Sequence, residues 1–386
     1  MMTELLLPKK SIFGKGAVAQ AVEELKKLGE KPLVVTGPHL VKSSMFSDFG
    51  DLLLEAGLSY GVFSDLPGEP TVDMIAAGKT AYEENQCDFI IGIGGGSPLD
   101  AAKAIAVLVK YPETDFLSLM GKEIAGPFVP IVAVPTTAGT GSEATKFTVI
   151  TDSLTDTKML LKSNDLLPDL AIVDYTYTLS SPESVTVATG VDALAHAIES
   201  YTSRRHQPFT DVLALSAIEK ILTHLPIVYQ EPKNEVSREA LAYAAYEAGI
   251  CINNSSVTIV HGMSRPIGAL FHVPHGISNA MLLKTCLGFV SEGCYERFGR
   301  LGRLAGVAKE SDSDELASKN FIDFLEKFVT DIGVPTLKGY GIDETKFLTN
   351  ISKMSQDAIA SGSPGNSIKE VSQSDIESIY HILWEK

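Results

Sequence analysis

The hydrophobic positions follow one pattern in the first half of the chain and another in the second. In the first half, short unbroken apolar runs alternate with segments whose apolar residues recur at helical spacing. Unbroken apolar runs are typical of strands in a parallel sheet that helices cover on both faces. This alternation predicts an open, mostly parallel sheet. The predicted strands are 31–37, 58–63, 88–93, 129–135, 147–151, 158–161 and 171–174, and the predicted helices between them are 46–56, 71–86 and 97–111.

After Pro182 the pattern becomes almost entirely helical and rich in alanine. The predicted helices are 184–203, 208–225, 237–253, 294–304 and 315–332, and a polar loop at 361–367 precedes a final helix. The sequence therefore predicts two domains. An α/β domain with a dinucleotide site spans residues 1–182, and an all-helical metal-binding and substrate domain spans residues 183–386.

Composition and charge limit the classes of partner and the cellular location that are expected. The chain has 386 residues, 45% of them hydrophobic, and a net charge of −16. That charge argues against binding to nucleic acid or an anionic membrane and favours a small-molecule substrate. Its four cysteines lack a CxxC spacing, which indicates free thiols in a reducing compartment. We find no signal-peptide pattern and no apolar run of ~20 residues, so a cytoplasmic location is expected.

Two loops have the chemistry of a dinucleotide site. Residues 94–103 place Gly94, Gly95, Gly96 and Ser97 where a buried strand turns into a helix. Such a turn offers free backbone N–H groups and the positive end of a helix dipole to a pyrophosphate. Residues 135–143 carry four hydroxyls and two glycines after another strand. Ligands collect at the carboxyl ends of strands in open sheets, although either loop alone is also compatible with a plain tight turn.

A second set of residues suits a metal ion. Asp192 and His196 are four residues apart and share one face of a predicted helix, which also describes an ordinary hydrogen-bonded pair. His261 and His275 each precede a glycine, and Pro266 and other breakers between them make one continuous helix improbable. If the segment bends back, one carboxylate and three imidazoles converge. Such a set suits Fe²⁺, Zn²⁺, Mn²⁺ or Co²⁺ with positions open for substrate.

Along nearly its whole length the chain resembles the iron-containing (group III) alcohol dehydrogenases, and most of all the lactaldehyde and propanediol reductase branch. The motifs that carry this resemblance are Gly94-Gly95-Gly96-Ser97-Pro98-x-Asp100, Pro135-Thr136-Thr137-x-Gly139-Thr140-Gly141-Ser142-Glu143, Gly190-Val191-Asp192-Ala193-x-x-His196-Ala197-x-Glu199, His261-Gly262-Met263 and His275-Gly276.

The resemblance implies roles for individual residues. It implies a metal, Fe²⁺ or alternatively Zn²⁺ or Mn²⁺, held by Asp192, His196, His261 and His275. It also implies NAD or NADP in a cleft between the domains, and a homodimer or larger homo-oligomer. The implied dinucleotide contacts are Gly37, Gly95, Gly96, Ser97, Asp100, Thr136, Thr137, Ser142 and Lys158.

Two positions depart from the family pattern. Family members often carry His where this chain has Arg265, four residues after a metal ligand. Arg265 either pairs with a carboxylate such as Glu199 or binds an anionic group of the substrate. NAD-dependent members often carry Asp where this chain has Gly37, with His39 and Lys42 just beyond it. Because that Asp would bind the ribose 2′-hydroxyl and repel a 2′-phosphate, its absence predicts that NADP is accepted.

The predicted function is a metal-dependent oxidoreductase that transfers hydride between a nicotinamide cofactor and a small primary or secondary alcohol or its carbonyl product. His272 is a candidate to relay the proton, or alternatively a hydrogen-bond partner of a ligand. Two alternatives differ in class. One is a lyase or synthase on the related scaffold of dehydroquinate synthase, whose basic phosphate-binding residues are not evident here. The other is a non-catalytic nucleotide-binding protein, against which the intact motifs argue.

Overall fold

The computed structural model describes residues 4–154 and 157–385. The chain divides into two compact units, one formed by Leu6–Ser181 and the other by Met1–Leu5 with Pro182–Lys386. The first unit carries the candidate dinucleotide loops and the second carries the candidate metal ligands.

The first unit is built on a six-stranded sheet in the order β1-β8-β5-β4-β2-β3, and every neighbouring pair is parallel. Strands β6 and β7 form a separate antiparallel hairpin. The predicted open parallel sheet is confirmed, with β1 as a strand that the apolar pattern did not indicate. The strands are β1 Ser11–Phe13, β2 Pro32–Val35, β3 Gly61–Phe63, β4 Phe89–Gly94, β5 Ile131–Pro135, β6 Phe147–Asp152, β7 Thr157–Lys162 and β8 Leu170–Val173.

Helices cover both faces of this sheet: α1 Ala17–Leu25, α2 Ser44–Glu55, α3 Val72–Glu84 and α4 Gly96–Lys110. Adjacent strand residues point to opposite faces, so Val34 packs in the cluster that includes α1 and α2, whereas Val35 packs in the cluster that includes α3 and α4. Both faces are therefore apolar, which explains the unbroken apolar runs of the sequence.

The second unit is helical in its described residues, apart from short turns and an isolated bridge between Ser203 and Ser367. The predicted all-helical character is therefore confirmed. Its helices are α5 Glu183–Tyr201, α6 Pro208–Gln230, α7 Glu235–Ser255, α8 Ile259–Phe271, α9 His275–Ser291, α10 Tyr295–Leu304, α11 Asp314–Asp331, α12 Leu337–Tyr340, α13 Glu344–Ala360 and α14 Gln373–Glu385.

The segment between the two candidate histidines breaks between α8 and α9. Helix α8 runs through Pro266 to Phe271, and His272 ends it in the left-handed conformation with φ 54°. Helix α9 then begins at His275, directly after Pro274. The two histidines therefore lie on separate helices, as expected.

One helix among the described residues, α6, is long and apolar enough to cross a membrane by length and composition alone, although no such run was expected from the sequence. It packs against α5 and α7 within the unit, and a single helix of this kind is weak evidence for a membrane span. All four cysteines are free thiols, as the sequence predicts.

Candidate metal centre and dinucleotide site

Helix α5 supplies three acidic or imidazole side chains from one of its faces. Asp192, His196 and Glu199 lie at positions i, i+4 and i+7, which a helix brings into one stripe. All three side chains are buried among the apolar residues of α5 and its neighbours. A buried stripe of this kind needs compensating partners, which α8 and α9 provide.

Glycine lets α9 approach α5 closely enough to complete the cluster. A Cβ atom built on Gly276 would lie only 2.0 Å from the carbonyl oxygen of Ala188 on α5. Because real side chains never come this close, only glycine permits the contact. It places the preceding residue, His275, beside Asp192, and α8 places His261 against the same carboxylate.

Three imidazoles surround one carboxylate oxygen. The Oδ1 atom of Asp192 lies 3.4 Å from Nε2 of His261 and 3.7 Å from Nε2 of His196 and of His275. Neighbouring donors around an ion with bonds of about 2.1 Å are separated by roughly 3.0–3.4 Å, so the His261 distance matches a metal site and the other two are slightly longer. The donor atoms of Asp192, His261 and His275 all lie within 4.8 Å of one another, and the ring of His196 stacks on that of His261 at 4.6 Å.

Glu199 fixes the orientation of His261. Its Oε2 atom accepts a hydrogen bond from Nδ1 of His261, while Oε1 accepts from Thr258 Oγ1 at 2.8 Å and from the backbone N–H of Val260 at 2.7 Å. With Nδ1 engaged, Nε2 of His261 faces Asp192. A carboxylate behind a histidine is a common way to set the tautomer and basicity of a metal ligand.

The electrostatics of the cluster favour a cation. Burial disfavours the ionised form of Asp192, but the three imidazoles outweigh that effect and hold its pKa well below the usual range. Burial likewise opposes protonation of His261, yet Glu199 and Asp192 raise the pKa of His261 to about 9. Two carboxylates thus stabilise positive charge on this ring, as they would a bound divalent ion. The residues present fit a metal ion. Their carboxylate and imidazole groups, with no thiolate among them, suit Fe²⁺, Zn²⁺ and Mn²⁺ alike.

Asn279 completes the cluster, although none of the sequence motifs includes it. It lies one turn after His275 on α9, and its Nδ2 donates to Asp192 Oδ1 at 2.7 Å. The same nitrogen lies 3.2 Å from Nε2 of His261 and 3.3 Å from that of His275. The buried Oδ1 of Asn279 has no hydrogen-bond partner among the described residues. An orphaned amide oxygen beside the ligand atoms is a further sign that the site accepts an added group.

The cluster is open on the side of His275. The side chains of Asp192, His196 and His261 are each at most 6% exposed, whereas that of His275 is 43% exposed. Although one side of its ring is open, desolvation by the surrounding protein lowers the pKa of His275 to about 3, and nearby cations add to this effect. His272 is exposed and makes no hydrogen bond to another described residue, so neither of its two predicted roles has a contact that supports it.

The two dinucleotide loops of the first unit lie against each other. The backbone N–H of Thr136 donates to the carbonyl of Gly94 at 2.8 Å, and a Cβ on Gly96 would lie 2.9 Å from Thr140. Gly95 is the N-cap residue of α4 and has no side chain to cap the helix. The N–H groups of the first turn can therefore bind a ligand. The hydroxyls of Ser97, Thr136 and Thr137 are half-buried and have no hydrogen-bond partner among the described residues.

Asp100 and Ser142, two of the predicted cofactor contacts, bind each other. Ser142 Oγ donates to Asp100 Oδ1 at 2.5 Å, and the backbone N–H of Val149 donates to Asp100 Oδ2 at 2.9 Å. Lys103, one turn further along α4, is fully buried and donates to the carbonyls of Ser142 at 2.6 Å and Thr145 at 2.8 Å. These contacts hold residues 142–149 against α4.

Desolvation dominates the charges of this buried group. It lowers the pKa of Lys103 to about 8, against the opposing effect of Asp100 and Glu143, and it raises the pKa of Glu143 to about 7. The sequence signal for this arrangement was the pairing of Asp100 and Lys103 at positions i and i+3 of an otherwise apolar helix.

The other two predicted cofactor residues lie elsewhere in the first unit. Lys158 lies on β7 and its Nζ forms an exposed ion pair with Glu69 at 2.7 Å. Gly37 follows β2, whose carboxyl end lies beside that of β4 in the parallel sheet. The nearest atom to a Cβ built on Gly37 is the carbonyl oxygen of Leu66 at 3.7 Å, so a side chain fits here.

Comparison with known proteins decides the family. Residues 8–175 match the model of iron-containing alcohol dehydrogenases, and residues 186–384 match that of the C-terminal region of the same family. The chain belongs to the iron-containing alcohol dehydrogenase family. It is therefore an oxidoreductase, as the motifs predicted, and neither the dehydroquinate synthase-like alternative nor the non-catalytic one is favoured.

Individual members of the iron-containing alcohol dehydrogenases cover the whole chain. It is 33% identical to the lactaldehyde reductase of Escherichia coli K12 over 100% of both chains. It is 34% identical to the NADPH-dependent butanol dehydrogenase of Clostridium saccharobutylicum, over 99% of this chain and 98% of that one. The crystal structure of a 1,3-propanediol oxidoreductase superposes with a TM-score of 0.95 at 32% identity, covering 99% of this chain and 100% of that chain.

Proposed function

We propose that the chain interconverts a small alcohol and its aldehyde or ketone with NADP(H) or NAD(H), using Fe²⁺ held by Asp192, His196, His261 and His275. The observation that carries the proposal is the set of imidazoles around Asp192 Oδ1, closed on three sides and open at His275. In the reductive direction, one carbonyl substrate, one reduced nicotinamide and one proton give the alcohol and the oxidised nicotinamide.

A bound divalent ion supplies a Lewis acid, which stabilises the negative charge that develops on the substrate oxygen. The residues of the chain prepare this site. Glu199 orients the ring of His261 through Nδ1, and Asn279 holds the carboxylate of Asp192. The exposed side of His275 gives the substrate access.

In the first unit, the start of α4 and three free hydroxyls suit the pyrophosphate and ribose of a dinucleotide. We assign this binding to Gly95, Gly96, Ser97, Thr136 and Thr137. Asp100 and Ser142 then support the site from behind, because their polar atoms already bind each other. The cytoplasmic location, the homodimer or larger oligomer, and the absence of nucleic-acid and membrane partners remain predictions.

The first prediction tests the activity and its metal together. Purified protein should oxidise NADPH or NADH, followed at ~340 nm, when a short aldehyde is added. Treatment with a chelator should lower the rate by at least about 10³-fold, because a Lewis acid contributes several kcal/mol to the barrier. Added Fe²⁺ should restore the rate, with Zn²⁺ and Mn²⁺ as comparisons. A chelated protein that retains its full rate would contradict the proposed metal dependence.

The second prediction concerns the choice of cofactor at Gly37. The native enzyme should accept NADPH, because Gly37 presents no carboxylate to a 2′-phosphate. Gly37→Asp should shift the ratio of kcat/KM values toward NADH by about 10- to 100-fold, since the new carboxylate accepts from the ribose 2′-hydroxyl. The substitution fits because the nearest atom to the new Cβ is 3.7 Å away.

Ser59→Asp is the matched control for Gly37→Asp. Ser59 is exposed and precedes β3, so it lies at the amino end of the parallel strands, whereas Gly37 lies at their carboxyl end. The substitution therefore adds the same charge away from the site. A native preference for NADH above about 100-fold, which corresponds to about 2.7 kcal/mol, would exclude this reading of Gly37. An equal shift in both variants would attribute the effect to net charge alone.

A further inference from the structure

Arg265 lies one helical turn from the candidate metal centre. It follows His261 by four residues on α8, so the two side chains share a face of the helix. Its guanidinium is near enough to the exposed ligand His275 to interact with it electrostatically. The charge therefore lies beside the candidate metal centre.

The guanidinium has no close counter-charge among the described residues. Its hydrogen-bond partner is Ser363 Oγ, which accepts from Nη1 at 3.0 Å. No carboxylate among residues 4–154 and 157–385 lies within ion-pair distance of it. Arg297 in the same unit shows the usual arrangement, with a carboxylate oxygen of Asp211 at 2.7 Å. An arginine has five N–H donors, so most of those of Arg265 remain available.

The acid that was expected as the partner of Arg265 is already engaged. Glu199 is fully buried and accepts hydrogen bonds from His261, Thr258 and Val260. It exerts a distant attraction on Arg265 without an ion pair. Desolvation lowers the pKa of Arg265, which is the signature of a cation held partly out of water without a close partner.

The guanidinium is held in place by a well-packed loop. Ser363 is 5% exposed, and the loop around it packs on α8 where a Cβ on Gly262 would lie 2.7 Å from Pro364. Asn366 anchors the same loop by donating to the carbonyl of Val257 at 3.1 Å. A cation fixed in this way binds a ligand at a lower entropic cost than a freely moving surface arginine.

We propose that Arg265, held by Ser363, is a specificity residue that binds an anionic group, a carboxylate or sulfonate, on the substrate of this enzyme. The planar fork of guanidinium matches the paired oxygens of such groups. The net charge of −16 repels anions from the surface as a whole, so a local cation is needed to bind one. This inference rests on the proposed function, since it names the class of substrate at that same site.

The third prediction compares acids with their neutral esters. Reduction of glyoxylate and 4-oxobutanoate is measured beside that of their methyl esters, which have the same reacting group without the charge. The native enzyme should favour the acids. Arg265→Gln should lower kcat/KM for the acids by about 10- to 150-fold and that for the esters by less than about 3-fold. Arg265→Lys keeps the charge but not the planar fork. Its kcat/KM for the acids should lie between that of the native enzyme and that of Arg265→Gln.

The controls separate this inference from the proposed function. Arg205→Gln removes the same charge from an exposed arginine that has no side-chain partner among the described residues. It should leave the ratio of the kcat/KM values for acids and esters unchanged.

Saturation-transfer NMR of methanesulfonate measures binding without turnover, and its signal should be lost in Arg265→Gln. Equal losses on acids and esters, or a native preference for esters, would overturn the anion site while leaving the dehydrogenase intact. No turnover of any of these substrates would instead overturn the proposed function.

Discussion

Replacement of His275 by alanine should empty the metal site and reduce turnover by at least about 10³-fold, because the Lewis acid is lost with the ion. The loss of affinity should exceed the roughly 10- to 100-fold that follows from removing a hydrogen-bond partner of a ligand. Metal content by atomic emission and turnover of a short aldehyde measure the two effects. A variant that keeps both its metal and its rate would show that the ligand assignment is wrong.

His275 is a cleaner position for this test than His261. Removing His261 would leave the fully buried carboxylate of Glu199 without its imidazole partner, which costs about 3–5 kcal/mol of stability. His275 is 43% exposed and shares the carboxylate of Asp192 with two other imidazoles, so its loss should leave the fold intact. His381→Ala, an exposed histidine on α14 in the same unit, is the matched control and should retain its metal.

Replacement of Lys103 by methionine should lower the free energy of unfolding by about 3–5 kcal/mol, because the buried Asp100 and Glu143 lose their counter-charge. The side chain also donates to the carbonyls of Ser142, Thr145 and Phe147, at 2.6, 2.8 and 3.0 Å. These three bonds use all the donors of an ammonium group. Methionine has a similar length but donates to none of them. Urea unfolding measures the change.

The same substitution should weaken dinucleotide binding, since Lys103 holds residues 142–147, which follow the loop that carries Thr136 and Thr137, against α4. Fluorescence of bound NADPH measures this second effect. Lys27→Met is the control in the same unit, because Lys27 is 68% exposed and solvent screens its ion pair with Glu24. Equal urea midpoints for Lys103→Met and Lys27→Met would show that the buried ammonium contributes no more than a surface lysine.

The sequence by itself determined the local structure and part of each site. Unbroken apolar runs follow from a sheet whose two faces are both covered, so the pattern alone predicted a parallel sheet. The helical periodicity placed Asp192 and His196 on one face, and the glycine turn marked the start of α4. These features depend on residues close together in the chain, which is why the pattern determines them.

Only the tertiary structure decided which polar groups bind each other. Glu199 and His261 are 62 positions apart, and Asp192 and Asn279 are 87 positions apart, so no local pattern pairs them. Ser142 and Asp100, which bind each other, are 42 positions apart. For the same reason no local pattern showed that Arg265 would lack a carboxylate partner among the described residues. Burying a polar group without a hydrogen-bond partner costs free energy, so buried polar groups are paired. The packing of distant elements determines which partner each group has.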